Sequence, residues 1–262
     1  MPFRPEIEKT ISRLIKEGVI STASYYFRDL NNGPWIGINE KELFFPSSLL
    51  KMPLMMSILK YAESVPSFLE KKLAYQGEDL IADQFYKPKE RIVSGRAYSV
   101  AELIERAIIY SDNNAAFLLS ENLPTKMLYD PYAEIGLNLP DNNNEGAMSV
   151  KSYSSFFRLL FNASYLSREF SEAALSILSR SAYDHGLKKS LPEGVVVASK
   201  FGERLSGAEK QLHDCGIVYY TGKPYLICIM TRGKDFAKLA ETIAEISAET
   251  YRQVDARVKA NF

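Results

Sequence analysis

A serine and a lysine stand three residues apart in the stretch Phe45-Pro46-Ser47-Ser48-Leu49-Leu50-Lys51-Met52-Pro53. If this stretch opens a helix, residues i and i+3 share one face, and the Lys51 amine reaches the Ser48 hydroxyl. Serine is a weak nucleophile at its own pKa, and a neighbouring base is the usual remedy. A helix start also has unpaired backbone N–H groups that can hold a developing oxyanion. Taken alone, the spacing recurs by chance and describes a capped surface helix equally well. Two further patches lie downstream. Ser111-Asp112-Asn113 follows the apolar run 103–110, where a turn or an N-cap is the plain reading. Lys200-Phe201-Gly202 closes a valine-rich run, where the lysine is in the simplest case an exposed strand end.

The elements that must position these residues are readable from periodicity. Ile7, Ile11, Leu14 and Ile15 recur at helical spacing within 6–17. Residues 20–30 are rich in β-branched and aromatic side chains and read as a strand; Asn31-Asn32-Gly33 is a turn, and 35–38 starts a second strand. Residues 48–62 form a helix too apolar all round to lie on a surface. From 66 to about 182 the pattern is helical, with Ser99 an N-cap for 100–108, further helices at 126–135, 150–160 and 167–179, and a polar loop at 138–146. Three strands follow at 194–200, 212–220 and 225–231, the last two a hairpin, and a helix closes the chain from 234 to about 258. Strands at both ends and helices between predict an α+β architecture. An antiparallel sheet built from both termini is flanked by terminal helices, with an all-helical lobe inserted. The expected boundaries within one domain, 1–262, are a sheet lobe of 1–65 and 190–262 and a helical lobe of 66–189.

Composition narrows the function classes. The 262 residues are 46% hydrophobic and 24% charged, with 32 basic and 32 acidic side chains. A net charge of zero gives no electrostatic case for nucleic acid or an anionic membrane. No apolar run is long enough to span a bilayer. Residues 1–16 are charged and helical in period, unlike a secretory signal, which fits a cytoplasmic protein or one whose leader has been removed. Cys215 and Cys228 fall on strands either side of the turn 221–224; a cross-strand disulfide is conceivable, but buried free thiols are the expectation. No zinc-ligand spacing and no phosphate-binding glycine loop occurs.

Together, a Ser-x-x-Lys at a helix start, a Ser-x-Asn in a helical region and a Lys-x-Gly on a late strand form the motif set of class A β-lactamases and penicillin-binding proteins. Residues 44–55 resemble that family's nucleophile helix and 110–119 its second motif, and the likeness extends over nearly the whole chain. It implies an active-site serine hydrolase or acyltransferase. Ser48 would attack a carbonyl to give an acyl-enzyme. Lys51 would be the general base, kept neutral by burial and by the charge of Lys200. Ser111 would relay the proton to the leaving nitrogen, and Asn113 would hold the substrate amide. Lys200 would hold the substrate carboxylate and tune Ser111, with Gly202 beside it. The backbone N–H groups of Ser48 and Glu203 would make the oxyanion hole. Three segments far apart in sequence must then share one cleft. The substrate implied is a β-lactam or a D-Ala-D-Ala-like peptide, with no cofactor and no metal. A monomer in the periplasm or outside the cell is the expectation, with the leader absent from this sequence.

The chain departs from the pattern in two places. Phe201 stands where the family usually has threonine or serine, so a hydroxyl that contacts the substrate carboxylate is missing. Arg204 is a candidate substitute, equally readable as an exposed strand arginine. The deacylating glutamate of class A enzymes lies in a Glu-x-x-Leu-Asn pattern. Glu134-Ile135-Gly136-Leu137-Asn138 matches it in type, but its distance from Ser111 is too short; the favoured reading is a helix end before a shortened loop, with slow deacylation. Neither histidine is required: His185 sits in a turn, and His213, on the strand beside the motif strand, reads as packing rather than as a carboxylate contact. Two alternatives stay open: a non-catalytic binding module on the same fold, favoured by Phe201, and an esterase acting on neutral acyl groups.

Overall fold

The computed structural model describes residues 3–31, 33–82, 84–137, 146–206 and 208–260. In chain order the elements are α1 (Arg4–Lys16), β1 (Thr22–Asp29), β2 (Trp35–Ile38), α2 (Lys51–Ser64), β3 (Lys72–Ala74), β4 (Ala97–Ser99), α3 (Val100–Ile109), α4 (Asn113–Glu121), α5 (Thr125–Glu134), α6 (Val150–Phe161), α7 (Arg168–Ser179), β5 (Val197–Ser206), β6 (Glu209–Val218), β7 (Tyr225–Gly233) and α8 (Phe236–Ala260). The chain divides into two compact units, one of residues 1–47, 147–154 and 184–262, the other of 48–146 and 155–183.

The first unit is built on a five-stranded antiparallel sheet in the order β2-β1-β7-β6-β5. Its strands come from both ends of the sequence, as the pattern predicts. Helix α1 buries Ile7, Ile11 and Leu14 and packs on α8, which itself packs on β6 and β7 with Leu239, Ile243 and Ile246 inward. The 3.6-residue apolar period sets both contact faces. Tyr25 Oη meets Thr250 Oγ1 of α8 at 3.1 Å, so Tyr25 marks the helix-covered face of the sheet. Side chains alternate along a strand. The registered row Tyr26–Cys228–Cys215–Lys200 therefore starts from the opposite face.

That row corrects two expectations. Cys215 and Cys228 are directly opposite on β6 and β7 and are joined by a disulfide. Cysteine's usual burial made both read as buried thiols, but only the register made them partners. Lys200 does not end its strand: β5 runs six residues further, to Ser206, and Lys200 is fully buried within it. Of the valine run only Val197 lies in β5, and the pairing with β6 carries the polar continuation.

The second unit is mostly helical. Ser99 caps α3 with a reciprocal box, its hydroxyl receiving the Glu102 N–H while the Glu102 carboxylate receives the Ser99 N–H. The Ser99 N–H, the Ser99 hydroxyl and Lys72, all donating to that carboxylate, hold the Glu102 carboxyl down at about 2. Helix α4 had no apolar period to announce it; Asp112 starts it instead, accepting the N–H groups of Asn114 at 2.8 Å and Ala115 at 3.2 Å. The β3–β4 hairpin is likewise too short to show an alternation. The loop read at 138–146 falls, but for Gly146, outside the described residues.

Candidate active site

In the second unit, Ser48 lies in a single 3-10 turn, Ser47–Leu50, and Lys51 is the first residue of α2. The tight turn differs from the α-helical start expected, and it serves the pair better: at three residues per turn, i and i+3 eclipse. Lys51 Nζ stands 3.1 Å from Ser48 Oγ. The same amine donates to Ser111 O at 2.7 Å and to Asn113 Oδ1 at 2.6 Å, with Ser111 Oγ at 3.2 Å. Ser48 is partly exposed, whereas Lys51 is buried and Ser111 fully so. Two of the three sequence patches thus meet at one amine.

The junction between α3 and α4 makes this possible. Ser111 adopts φ of 59°, the left-handed region that a residue with a Cβ occupies only when its surroundings impose it. Asp112 imposes it from one side, accepting Ile92 N–H at 2.6 Å besides its two capping bonds. Its carboxyl is pushed up by burial, partly offset by those N–H groups and by Lys51. Asn113 is partly exposed, and its amide donates to Leu80 O at 3.1 Å while its carbonyl takes Lys51.

In the first unit, the motif strand holds Lys200, Phe201, Gly202 and Glu203 against Cys215, Asp214, His213 and Leu212 of β6. Lys200 Nζ donates to Phe201 O at 2.9 Å and lies 4.4 Å from the centroid of the Phe201 ring. The phenyl ring is buried, and its face takes part of the cation's charge. Arg204 is half-buried, its guanidinium stacked 3.7 Å from the centre of the Phe45 ring. His213 is fully buried, with Nε2 at 3.1 Å from Phe45 O and its ring edge-on to Phe44. It has the packing and hydrogen-bonding part that its position suggests. His185 is exposed, near Asp184.

Two buried groups behind this strand have opposite consequences for stability. Burial pushes the Asp214 carboxyl up to about 6, against the pull of the Leu187 N–H, Lys188 and Lys200. Burial pushes the His213 imidazole down to about 3. An acid raised in the folded state binds more protons folded than unfolded between about pH 4 and 6, so its contribution falls as pH rises. A base lowered in the folded state binds fewer protons folded than unfolded between about pH 3 and 6.5, so its contribution falls as pH drops. The two slopes oppose one another. Asp214→Asn removes the first, and we expect it to stabilise the protein at pH 7 by on the order of 2 kcal/mol. That gain should shrink towards zero near pH 4. Thermal melts from pH 4 to 8 check this, and a variant-minus-parent difference that is flat with pH refutes it.

Comparison with known proteins identifies the setting of these residues. The family model described as the beta-lactamase enzyme family matches residues 6–254. The chain belongs to this family. It is 24% identical over 244 residues to beta-lactamase BRO-1 of Moraxella catarrhalis, covering 84% of this chain and 76% of that one. Among solved structures, a class A beta-lactamase from Mycobacterium abscessus superposes with a TM-score of 0.79 at 21% identity, over 95% of this chain and 99% of that one. PBP-A superposes with a TM-score of 0.78 at 21% identity, over 96% of each. The fold is that of the class A β-lactamases.

Within this β-lactamase-like chain, Glu134 ends α5 and lines a cavity of about 300 Å³ with Ile135, Ser155, Arg158, Leu159, Asn162 and Ser164. Its carboxylate makes no hydrogen bond or ion pair among the described residues. Its charge is felt by the Tyr165 hydroxyl, which burial pushes up first. The Tyr165 carbonyl in turn accepts Lys60 Nζ at 2.9 Å. Lys60 lies roughly 14 Å further along α2 than Lys51, at 1.5 Å per residue. Glu134 stands at a helix end, with no hydrogen bond to Ser48 among the described residues. The last residue of the Glu-x-x-Leu-Asn pattern, Asn138, lies outside the described residues. Among the described residues no helix is long and apolar enough to cross a membrane.

Proposed function

We propose that the protein is a serine acyl-transfer enzyme that is acylated at Ser48 by β-lactams or by D-Ala-D-Ala-like peptides. One observation carries the reading: the amine 3.1 Å from Ser48 Oγ has two shorter contacts, both to carbonyl oxygens that can only accept. A neutral amine has two N–H groups and one lone pair. With both N–H groups on Ser111 O and Asn113 Oδ1, the lone pair is left for the Ser48 proton. Ser48 Oγ then attacks the carbonyl carbon while its proton passes to Lys51 Nζ. Ser111 Oγ, 3.2 Å from that nitrogen, passes a proton on to the leaving nitrogen as its bond to carbon breaks.

By family resemblance, the Ser48 and Glu203 N–H groups receive the oxyanion, Lys200 with Gly202 beside it receives the substrate carboxylate, and Asn113 receives the substrate amide. One Asn113 N–H is left over from the bond to Leu80. Phe201 contributes no hydroxyl, and Arg204, stacked on Phe45, is the cation on the same strand that can share the carboxylate. Glu134 ends helix α5 and makes no hydrogen bond to Ser48 among the described residues, which favours slow deacylation over rapid turnover. Incubation with benzylpenicillin followed by intact mass over hours tests both points. The expected result is a one-to-one adduct that persists. Absence of any adduct in folded protein refutes acylation, and quick return to the free mass with hydrolysed penicillin refutes slow deacylation.

A further inference from the structure

The amide of Gln84 is not part of any motif, yet it reaches the same carbonyl that Lys51 uses. Gln84 Nε2 donates to Ser111 O at 3.2 Å. A carbonyl accepts only, so the nitrogen must be the atom that faces it. The other end of the amide, Gln84 Oε1, is buried without a hydrogen-bond partner among the described residues. Proteins seldom leave a buried acceptor unsatisfied, and such cases ask for a reason. Gln84 itself is 8% exposed, so neither end is simply solvated.

From this geometry we infer that Gln84 is a positioning residue that sets the protonation balance of the Lys51 amine through the Ser111 carbonyl. The inference rests on the acyl-transfer reading above. Ser111 O is one of the two short acceptors of Lys51 and, as such, stabilises the ammonium form most. A second donor on that oxygen draws off part of its negative charge. The ammonium loses some support, and the neutral amine, which is the competent base, gains. The same bond fixes a carbonyl whose residue is held at φ of 59°. Gln84 thus acts opposite to Asp112, whose buried carboxylate interacts with Lys51 but is occupied by the N–H groups of Ile92, Asn114 and Ala115. Other titratable groups in this neighbourhood are Asp79 and Tyr75, both engaged with Asn114, and Lys87, which donates to the carbonyls of Ile81 and Ala82. None of these bonds involves the Gln84 side chain.

Gln84→Glu keeps the shape and reverses the effect, since a carboxylate cannot donate and attracts the ammonium. The rate constant for acylation by a fluorescent penicillin, measured from pH 5 to 9, should show the acid limb displaced upwards by about one unit. Acylation at pH 7 should fall about tenfold. Gln84→Met, which removes the donor without adding charge, should move the limb the same way by a smaller amount. Unchanged limbs in both variants overturn the inference. So does a loss of rate that tracks a lowered melting temperature while the limb stays in place, because a merely structural residue behaves that way. A parent protein that is never acylated overturns the underlying reading as well, and the two failures are therefore distinguishable.

Discussion

Replacing Ser48 with alanine is expected to abolish the covalent adduct altogether. The change removes one oxygen from a partly exposed side chain in a 3-10 turn, so little packing is lost and the variant should melt within a few degrees of the parent. The nucleophile has no understudy of the same kind. Ser47 has φ of 51°, and its hydroxyl bonds back to Phe45 O at 3.5 Å. Ser111 is fully buried, with its carbonyl held by two donors. Intact mass after prolonged exposure to benzylpenicillin should therefore show only unmodified S48A protein. An adduct of undiminished yield on S48A would mean that another residue is the nucleophile, and the assignment of the 3-10 turn as the reacting centre would fall. The same experiment separates the binding-module alternative, which expects no adduct on the parent either. An esterase instead would turn over neutral esters with Ser48 present and ignore penicillins.

The sheet was readable because its strands are runs rich in β-branched and aromatic residues set off by turn signals, and the terminal helices because Ile7, Ile11 and Leu14, or Leu239, Ile243 and Ile246, recur at 3.6. Those patterns are local, and local chemistry also announced the capping box at Ser99. What stayed hidden depends on register or on contacts between distant segments. The pairing of Cys215 with Cys228 needs the β6–β7 alignment to the residue. The burial of Lys200 needs a strand that continues through polar residues because a neighbour pairs with it. Ser48, Lys51, Ser111 and Asn113 were legible as a set through their order and spacing, and the short distances from Lys51 bear on chemistry that no spacing can give. Gln84 illustrates the limit. It lies 27 residues before Ser111 in a loop without period or motif, and nothing in the sequence around it points at the Ser111 carbonyl.

Replacing Lys51 with methionine should slow acylation by about two to four orders of magnitude at pH 7 while leaving Ser48 in place. The side chains are close in length, so the helix start keeps its packing, and what disappears is the nitrogen. The stability consequence has two parts of opposite sign. Asn113 Oδ1 loses the Lys51 donor, and Ser111 O loses it too while keeping Gln84. An orphaned buried acceptor costs about 1–3 kcal/mol, whereas removing a buried amine recovers desolvation. The melting temperature should therefore move by only a few degrees, far too little to account for the loss of rate. Lys51→Arg provides the complementary control: a guanidinium keeps the positive charge but stays protonated across the whole accessible pH range. If Lys51 serves merely as a cation that orients Ser48, the arginine variant should acylate nearly as fast as the parent. If the lone pair matters, arginine should be as impaired as methionine, and raising the pH should rescue neither. Second-order acylation rate constants with a fluorescent penicillin decide between the two, and K51M acylating within about threefold of the parent would remove lysine from the role of base. That outcome would leave the Ser48 hydroxyl without an activating group among its described contacts, because the nearest alternative in the same cluster is a second hydroxyl, Ser111 Oγ, which is no stronger a base than the one it would have to deprotonate.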